Sequence, residues 1–360
     1  MTSPYSNLPS KAFWRSAVTD RPALEPGDLY EPKIKIRKRM TKIVTAGSCF
    51  AQHVGRTLAN SGFNVLDGEP VPLRMSDALA NRFGYKLFSG RYGNIYTVRQ
   101  LVQMMDEAEG LFQPATPVWE KNGRYYDAMR PNVEPEGLES PELVMKQRKE
   151  HLKKVLETYK QADLFVFTFG LTEAWIHKES GTVYPTAPGT IAGSFDPELY
   201  EFKNFGFTEI MADFVSFRKR MKKYNPAMKF LITVSPVPLT ATASGNHVEV
   251  ATSYSKSVLR TVCGTLYDKF RDVDYFPSYE IITSPNNRGV YFESNKRSVS
   301  SKGVATAMGL FLQAHNPGDD AEKGGATAQK AKKKGPQNAD KAKDDEDAVC
   351  EDALLEAFAR

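Results

Sequence analysis

Three cysteines in 360 residues, Cys49, Cys263 and Cys350, lie far apart and form no Cys-x-x-Cys pair. That excludes a disulfide framework and a zinc site of the usual spacing, so no metal is expected. Long apolar runs are missing as well. No stretch reaches the roughly 18 residues a membrane-spanning helix needs, and no membrane span is expected. Residues 1–30 are polar and broken by proline, without the apolar core of a signal peptide. A cytoplasmic location is the resulting expectation, and reduced thiols fit it. No excess of one charge dominates: 48 Lys and Arg stand against 43 Asp and Glu, for a net charge of +5. Its sources are local, Lys33-Ile34-Lys35-Ile36-Arg37-Lys38-Arg39 and a lysine-rich tail. The first reads as a solvated edge, and no nucleic-acid motif accompanies it, so no nucleic-acid partner is expected.

What is present is ordinary globular material. Hydrophobic residues make up 41% and charged residues 25%, enough for a substantial core in one domain with embellishments. Residues 1–40 read as an irregular arm whose aromatics, Phe13, Trp14 and Tyr30, pack on the body. Residues 41–315 read as the domain. Beyond His315 the composition turns to Asn, Gly, Ala, Gln, Lys and Asp, so residues 316–348 are expected to be a disordered charged linker. Residues 349–360, with Leu354, Leu355 and Phe358, read as a short amphipathic segment, either frayed in solvent or docked.

Within the domain, strands alternate with helices. Lys42-Ile43-Val44-Thr45-Ala46 is a strand, and Phe50, Val54 and Leu58 recur at helical spacing after it. Asn60-Ser61-Gly62 stops that helix before a second strand, Phe63-Asn64-Val65-Leu66. Residues 67–140 read as long excursions around a helix near 98–109. A helix over 143–159 leads into a buried third strand, Leu164-Phe165-Val166-Phe167-Thr168-Phe169. The fourth strand is Phe230-Leu231-Ile232-Thr233-Val234 and the fifth lies at 273–276, with helices around them and a last helix capped by Ser300 or Ser301. This pattern predicts a parallel five-stranded sheet in a three-layer α/β/α sandwich.

The chemistry centres on Gly47-Ser48-Cys49-Phe50-Ala51, where the first strand turns at once into a helix. Such a turn sets the serine hydroxyl at the carboxyl edge of the sheet, where N–H groups at a helix start hold an oxyanion. Ser48 is then either an acyl-accepting nucleophile or an N-cap. The chain resembles the GSCFA family, which these residues spell, and that family is similar to the SGNH/GDSL esterases and acyltransferases with a flavodoxin-like fold. Those enzymes place a serine after the first strand, a glycine after the second, an asparagine after the third and Asp-x-x-His after the fifth.

Ser48 with Gly47 matches the first block. Arg91-Tyr92-Gly93-Asn94-Ile95-Tyr96-Thr97 resembles the second, with Gly93 and Asn94 either oxyanion donors or a turn. Phe169-Gly170-Leu171-Thr172-Glu173-Ala174-Trp175 resembles the third, with Gly170 at the site and Thr172 and Glu173 where an asparagine is usual. A threonine hydroxyl donates a hydrogen bond and an ionised glutamate does not, so Thr172 or Asn94 takes the oxyanion task. Glu173 is either the orienting acid of a triad or a structural acceptor. Tyr184-Pro185-Thr186-Ala187-Pro188-Gly189-Thr190 and Ser235-Pro236-Val237-Pro238-Leu239-Thr240 also resemble GSCFA stretches and read as stiff pocket walls.

The last block departs from the pattern, because Asn295 and Ser298 stand where Asp and His are expected. A replacement base must come from five histidines. His151, His177 and His315 read as surface residues, and His53 as a core or surface residue facing away from Ser48. His247, in the loop after the fourth strand, should emerge at the same sheet edge as Ser48, as the base or as an uninvolved loop residue. Cys49 is a competing nucleophile, turned about 100° round the helix towards the core. The resemblance implies a serine-dependent esterase or O-acyltransferase that moves small acyl groups, such as acetyl, on a carbohydrate or other hydroxylated small molecule. It needs no bound cofactor, and acyl-coenzyme A is a conceivable donor. The rival reading is a non-catalytic binding or scaffold protein on a degenerated SGNH fold. Oligomeric state is not legible.

Overall fold

A computed structural model describes residues 3–72, 74–315, 355 and 358. The chain enters with β1 (Ile43–Gly47), α1 (Cys49–Asn60), α2 (Asp77–Arg82) and α3 (Val98–Ala108), followed by a hairpin of β2 (Val118–Lys121) and β3 (Arg124–Asp127). Then come the long α4 (Pro141–Lys160), β4 (Leu164–Phe169) and three short strands, β5 (Glu173–His177), β6 (Val183–Tyr184) and β7 (Tyr200–Asn204). After them run α5 (Phe207–Tyr224), β8 (Lys229–Val234), α6 (Val248–Lys269), β9 (Val273–Tyr275), α7 (Ser278–Thr283) and α8 (Ser301–His315). Local chemistry sets several starts: Thr97 and Gln100 form a reciprocal capping box at α3, and Ser140 caps α4 just before Pro141.

Strands β1, β4, β8 and β9 form one parallel sheet in the order β1-β4-β8-β9. Val44 lies opposite Phe165, Phe165 opposite Phe230, and Phe230 opposite Val273. β4 is buried along its whole length, as a central parallel strand covered on both faces requires. Leu164 and Val166 pack with Phe50, Val54 and Phe311 of α1 and α8. Phe165, Phe167 and Phe169 pack on the other face with Phe214, Phe217, Leu259 and Val262 of α5 and α6. Truncating one of these phenylalanines to alanine would cost about 3–5 kcal/mol.

The sheet thus has four strands where five were expected. Phe63-Asn64-Val65-Leu66 supplies only a single parallel bridge, Ile43 to Val65, fixed by Ile43 N–H to Asn64 O and Leu66 N–H to Ile43 O. The chain then passes Gly68, where a Cβ would run into Thr158 Oγ1 on α4. Ser89 takes up the edge of β1 instead, its N–H donating to Thr45 O and its Oγ accepting from Thr45 N–H. The excursions expected over 67–140 contain α2 and the β2–β3 hairpin, and β5 is flanked by β6 and β7 in an antiparallel three-stranded sheet. Tyr30 is buried against Phe276, but Phe13 and Trp14 stay 40% and 69% exposed, so only the last aromatic of the arm joins the core. Ser300 Oγ accepts from Gly303 N–H at the start of α8. The readings of 316–348 as a linker and of 349–360 as an amphipathic segment lie outside the described residues, apart from Leu355 and Phe358. Among the described residues no helix is long and apolar enough to cross a membrane.

Candidate functional site

Ser48 ends β1 and precedes α1, with extended backbone (φ −77°, ψ −178°). Its place depends on Gly47, whose φ is +139° and where a Cβ would meet Thr168 O at 2.6 Å. No side chain fits there, so the chain comes flush against β4 and Ser48 N–H reaches Thr168 O at 3.4 Å. Ser48 stands at the N-cap position without capping, because its Oγ accepts nothing from the first turn of α1. That hydroxyl is buried and has no hydrogen-bond partner among the described residues. Two more buried hydroxyls, Thr168 Oγ1 on the residue opposite Gly47 and Thr172 Oγ1 in the turn after β4, are also unpartnered among these residues. An unsatisfied buried polar atom costs about 1–3 kcal/mol, which marks this edge as built for something other than stability.

The loop carrying Gly93 and Asn94 ties β1 to β4. Ile95 N–H donates to Gly47 O at 2.9 Å, while Tyr96 O accepts from Gly170 N–H and Leu171 N–H. Gly93 adopts φ +67°, the left-handed conformation that lets the loop turn between these anchors. Asn94 is buried, and its Oδ1 accepts from Gln52 Nε2 at 3.0 Å. Gln52 lies four residues after Ser48 on the same face of α1, so it orients the Asn94 amide with its Nδ2 as the donor end.

The third block closes from β4. Gly170 packs on Ser48 itself, and its N–H is committed to Tyr96 O, so its part is steric clearance. Two adjacent residues of α6 hold the turn that follows: buried Lys256 Nζ donates to Gly170 O at 2.7 Å, and Ser255 Oγ accepts from Thr172 N–H at 3.1 Å. Glu173 begins β5 and accepts from Thr242 Oγ1 at 2.9 Å. Burial raises its carboxyl above the usual range, and the Thr242 hydrogen bond partly opposes that. A cavity of about 210 Å³ is bounded by Leu171, Glu173, Trp175, Phe202, Leu239 and Thr242, and Ser48 is not among its lining residues.

The structure therefore brings Gly47, Ser48, Asn94 and Gly170 together, with Gly93 in the loop that joins them and Thr172 beside Gly170. Glu173 follows on the cavity wall. His247 is exposed at the N-cap of α6, where its Nδ1 accepts from Glu249 N–H, and no hydrogen bond joins it to Ser48. Its loop is nevertheless tied to Glu173 through Thr242. Asn295 and Ser298 bond to each other in an exposed turn before α8. Cys49 is buried.

His151 corrects the surface reading. It is buried on α4, with Nδ1 2.7 Å from Glu69 Oε2, amid Asp127, Arg130 and Arg148. Burial and the nearby arginines lower its pKa to about 4, so the neutral ring donates to Glu69. Burial raises Glu69, but the His151 hydrogen bond and the charge of Arg130 overcome it and hold the carboxyl at about 2. His315 also packs inward, its ring tilted against Phe311 at 4.4 Å between centroids and its Nε2 hydrogen-bonded to Tyr30 Oη.

Sequence reasoning passed over Gln52, Ser255 and Lys256. Gln52 was signalled by its i,i+4 spacing from Ser48. Lys256 carries no such signal, because the apolar spacing Tyr254, Val258, Val262, Leu266 and Phe270 sets the helix's inner face away from it. Val262 and Leu266 of that spacing are buried, but the inner face of α6 continues through Ala251, Ser255 and Leu259, and Tyr254 is half exposed. A lysine three residues before Leu259 then falls on the inner side.

The model of the GSCFA family matches residues 42–311, from the first residues of the opening strand to the last turn of α8, and the chain belongs to that family. No curated protein and no solved structure matches it.

Proposed function

We propose that the protein transfers or hydrolyses a small acyl group through an acyl-Ser48 intermediate, on a carbohydrate or other hydroxylated small molecule, within a fold of the SGNH type. The observation that carries this reading is the Ser48 hydroxyl: buried, placed where it could cap α1, yet without a hydrogen-bond partner among the described residues. In the reaction Ser48 Oγ attacks the acyl carbonyl, its proton passes to a base, and the alcohol or thiol of the donor leaves. Water or an acceptor hydroxyl then takes the acyl group from the serine. Asn94, oriented by Gln52, supplies the hydrogen bond to the oxyanion, and the charge of Lys256 beneath Gly170 favours the developing anion. His247 serves as base through its Nε2 if the Thr242 loop folds over the site.

A second reading has its own support, because no histidine is hydrogen-bonded to Ser48 Oγ in this structure. On that reading the cavity beside Glu173 binds an acylated or hydroxylated ligand without turnover. Hydrolysis of p-nitrophenyl acetate separates the two. The enzyme reading expects Ser48→Ala to abolish turnover and Cys49→Ala to retain most of it; equal rates in the wild type and Ser48→Ala support the binding reading.

A further inference from the structure

The outer edge of β1 is only partly covered. The chain leaves it after the bridge at Val65, and Ser89 returns to it at Thr45. Beside that edge lies a cavity of about 600 Å³, within the range of small-molecule sites. Thr45 of β1, Gly55 and Arg56 of α1 and Asn81 of α2 line it, and Leu66, Leu87 and Phe88 give it an apolar wall. Ser48 is not among its lining residues.

Several polar groups here are left over. Thr45 is 1% exposed, and its hydroxyl has no hydrogen-bond partner among the described residues. Gly55 keeps the space over that hydroxyl free of side chain, since a Cβ there would stand 3.0 Å from it. Arg56 is partly buried, and no hydrogen bond or ion pair joins its guanidinium to a described residue. The acids of the lining are engaged elsewhere: Asp77 with Lys86 at 2.7 Å, and Asp67 Oδ1 with Glu69 N–H at 3.0 Å. The cation that acts on Asp67 is Lys86 and not Arg56. Arg56 acts on His53, whose pKa burial and then Arg56 lower to about 4, so the neutral ring supplies no counter-charge. At about 30 Å³ per water, the cavity has room for far more than a bare ion.

We propose that this cavity is a binding site, separate from Ser48, for a small hydroxylated anion of the sugar phosphate or sugar acid class. Arg56 pairs with the phosphate or carboxylate through its planar fork, and Thr45 Oγ1 and the Asn81 amide take hydroxyls of the ring.

The test is equilibrium dialysis of the full-length protein with glucose 6-phosphate, glucuronate, glucose and inorganic phosphate. At least one of the two sugar anions should bind saturably, one per chain, and glucose and phosphate alone at least about tenfold more weakly. Tighter binding of glucose 6-phosphate supports a phosphate-ended ligand, and tighter binding of glucuronate a carboxylate-ended one. Arg56→Gln should weaken the binding at least about tenfold, and Arg56→Lys should restore part of it. Thr45→Val removes only an unpartnered hydroxyl, so it should hold the urea midpoint and still weaken binding by about threefold or more. Ser48→Ala should bind as the wild type does. Absence of saturable binding of either sugar anion up to about 10 mM overturns the proposal. Unchanged affinity in Arg56→Gln overturns it as well, and so does loss of binding in Ser48→Ala, which would put the ligand at Ser48. No esterase activity is read, so the outcome is independent of the acyl-Ser48 reading.

Discussion

A Cβ built on Gly170 would stand 2.8 Å from the Cβ of Ser48 and 3.3 Å from its hydroxyl oxygen. The turn after β4 therefore closes directly on the residue that ends β1. The third contact of that Cβ, 3.0 Å to Tyr96 O, comes from the loop that joins the two. Three separate stretches of chain thus meet at one point without room for a methyl group.

Gly170→Ala should accordingly force Ser48 or the 93–96 loop to move. The expected cost is about 1–3 kcal/mol, as for overpacking elsewhere, measured by urea unfolding. Labelling of Ser48 should fall at least about tenfold. A variant with wild-type stability and labelling would mean that the contact is loose.

Ser48→Ala should leave stability unchanged or raise it by up to about 1–3 kcal/mol, because the hydroxyl it removes is buried and unpartnered. Urea midpoints of the two proteins check this. A loss of stability would show that the hydroxyl has a structural hydrogen bond in solution, as an ordinary N-cap would.

Lys256→Met keeps most of the side-chain volume but removes the donor to Gly170 O and the positive charge beneath it. Labelling should fall at least about tenfold, as expected for loss of electrostatic support at an oxyanion. Lys256→Arg, which keeps the charge, should recover part of that rate in the same assay. Equal loss in both variants, with equal loss of stability, would reduce Lys256 to a packing role.

Stability should fall between pH 6.5 and pH 4. His53, His151 and His315 all have pKa values lowered to about 4, with burial as the largest cause. In that window the unfolded chain protonates these histidines while the folded chain keeps them neutral, so their contribution rises with pH and is fully present above 6.5. It is opposed in part by Asp67, Glu173, Asp213 and Asp274, whose carboxyls burial raises. For His151 alone the effect approaches about 3 kcal/mol as a limit. Glu69, held at about 2, extends the loss below its ordinary pKa. Urea unfolding at pH 4.5 and 7.5 measures the difference. His151→Gln should narrow it, and an unchanged difference would place the effect in the other two histidines.

The parts of the fold that were legible came from patterns that local physics enforces. The apolar run at 164–169 could only be a buried strand, and Gly47-Ser48 before a helical stripe could only be a sheet-edge turn. What stayed hidden depends on contacts between distant segments. The second strand is reduced to one bridge, and Gly68 just after it lies against Thr158 of α4, a contact between distant segments that no local signal reveals. His151 looked solvated because Lys149, Glu150, Lys153 and Lys154 surround it in sequence, although α4 turns it inward to Glu69. The same holds at the site: Gly47, Ser48 and Asn94 were readable from motifs. Lys256 and Ser255 became visible only when α6 was laid against the turn after β4.

The central claim is that Ser48 is an activated nucleophile, and intact-protein mass spectrometry after incubation with a fluorophosphonate probe tests it most directly. The account predicts one added phosphonyl group per chain, mapped to Ser48 by peptide sequencing, absent in Ser48→Ala and retained in Cys49→Ala. Addition at another residue, or no addition to a folded wild-type chain, would contradict it.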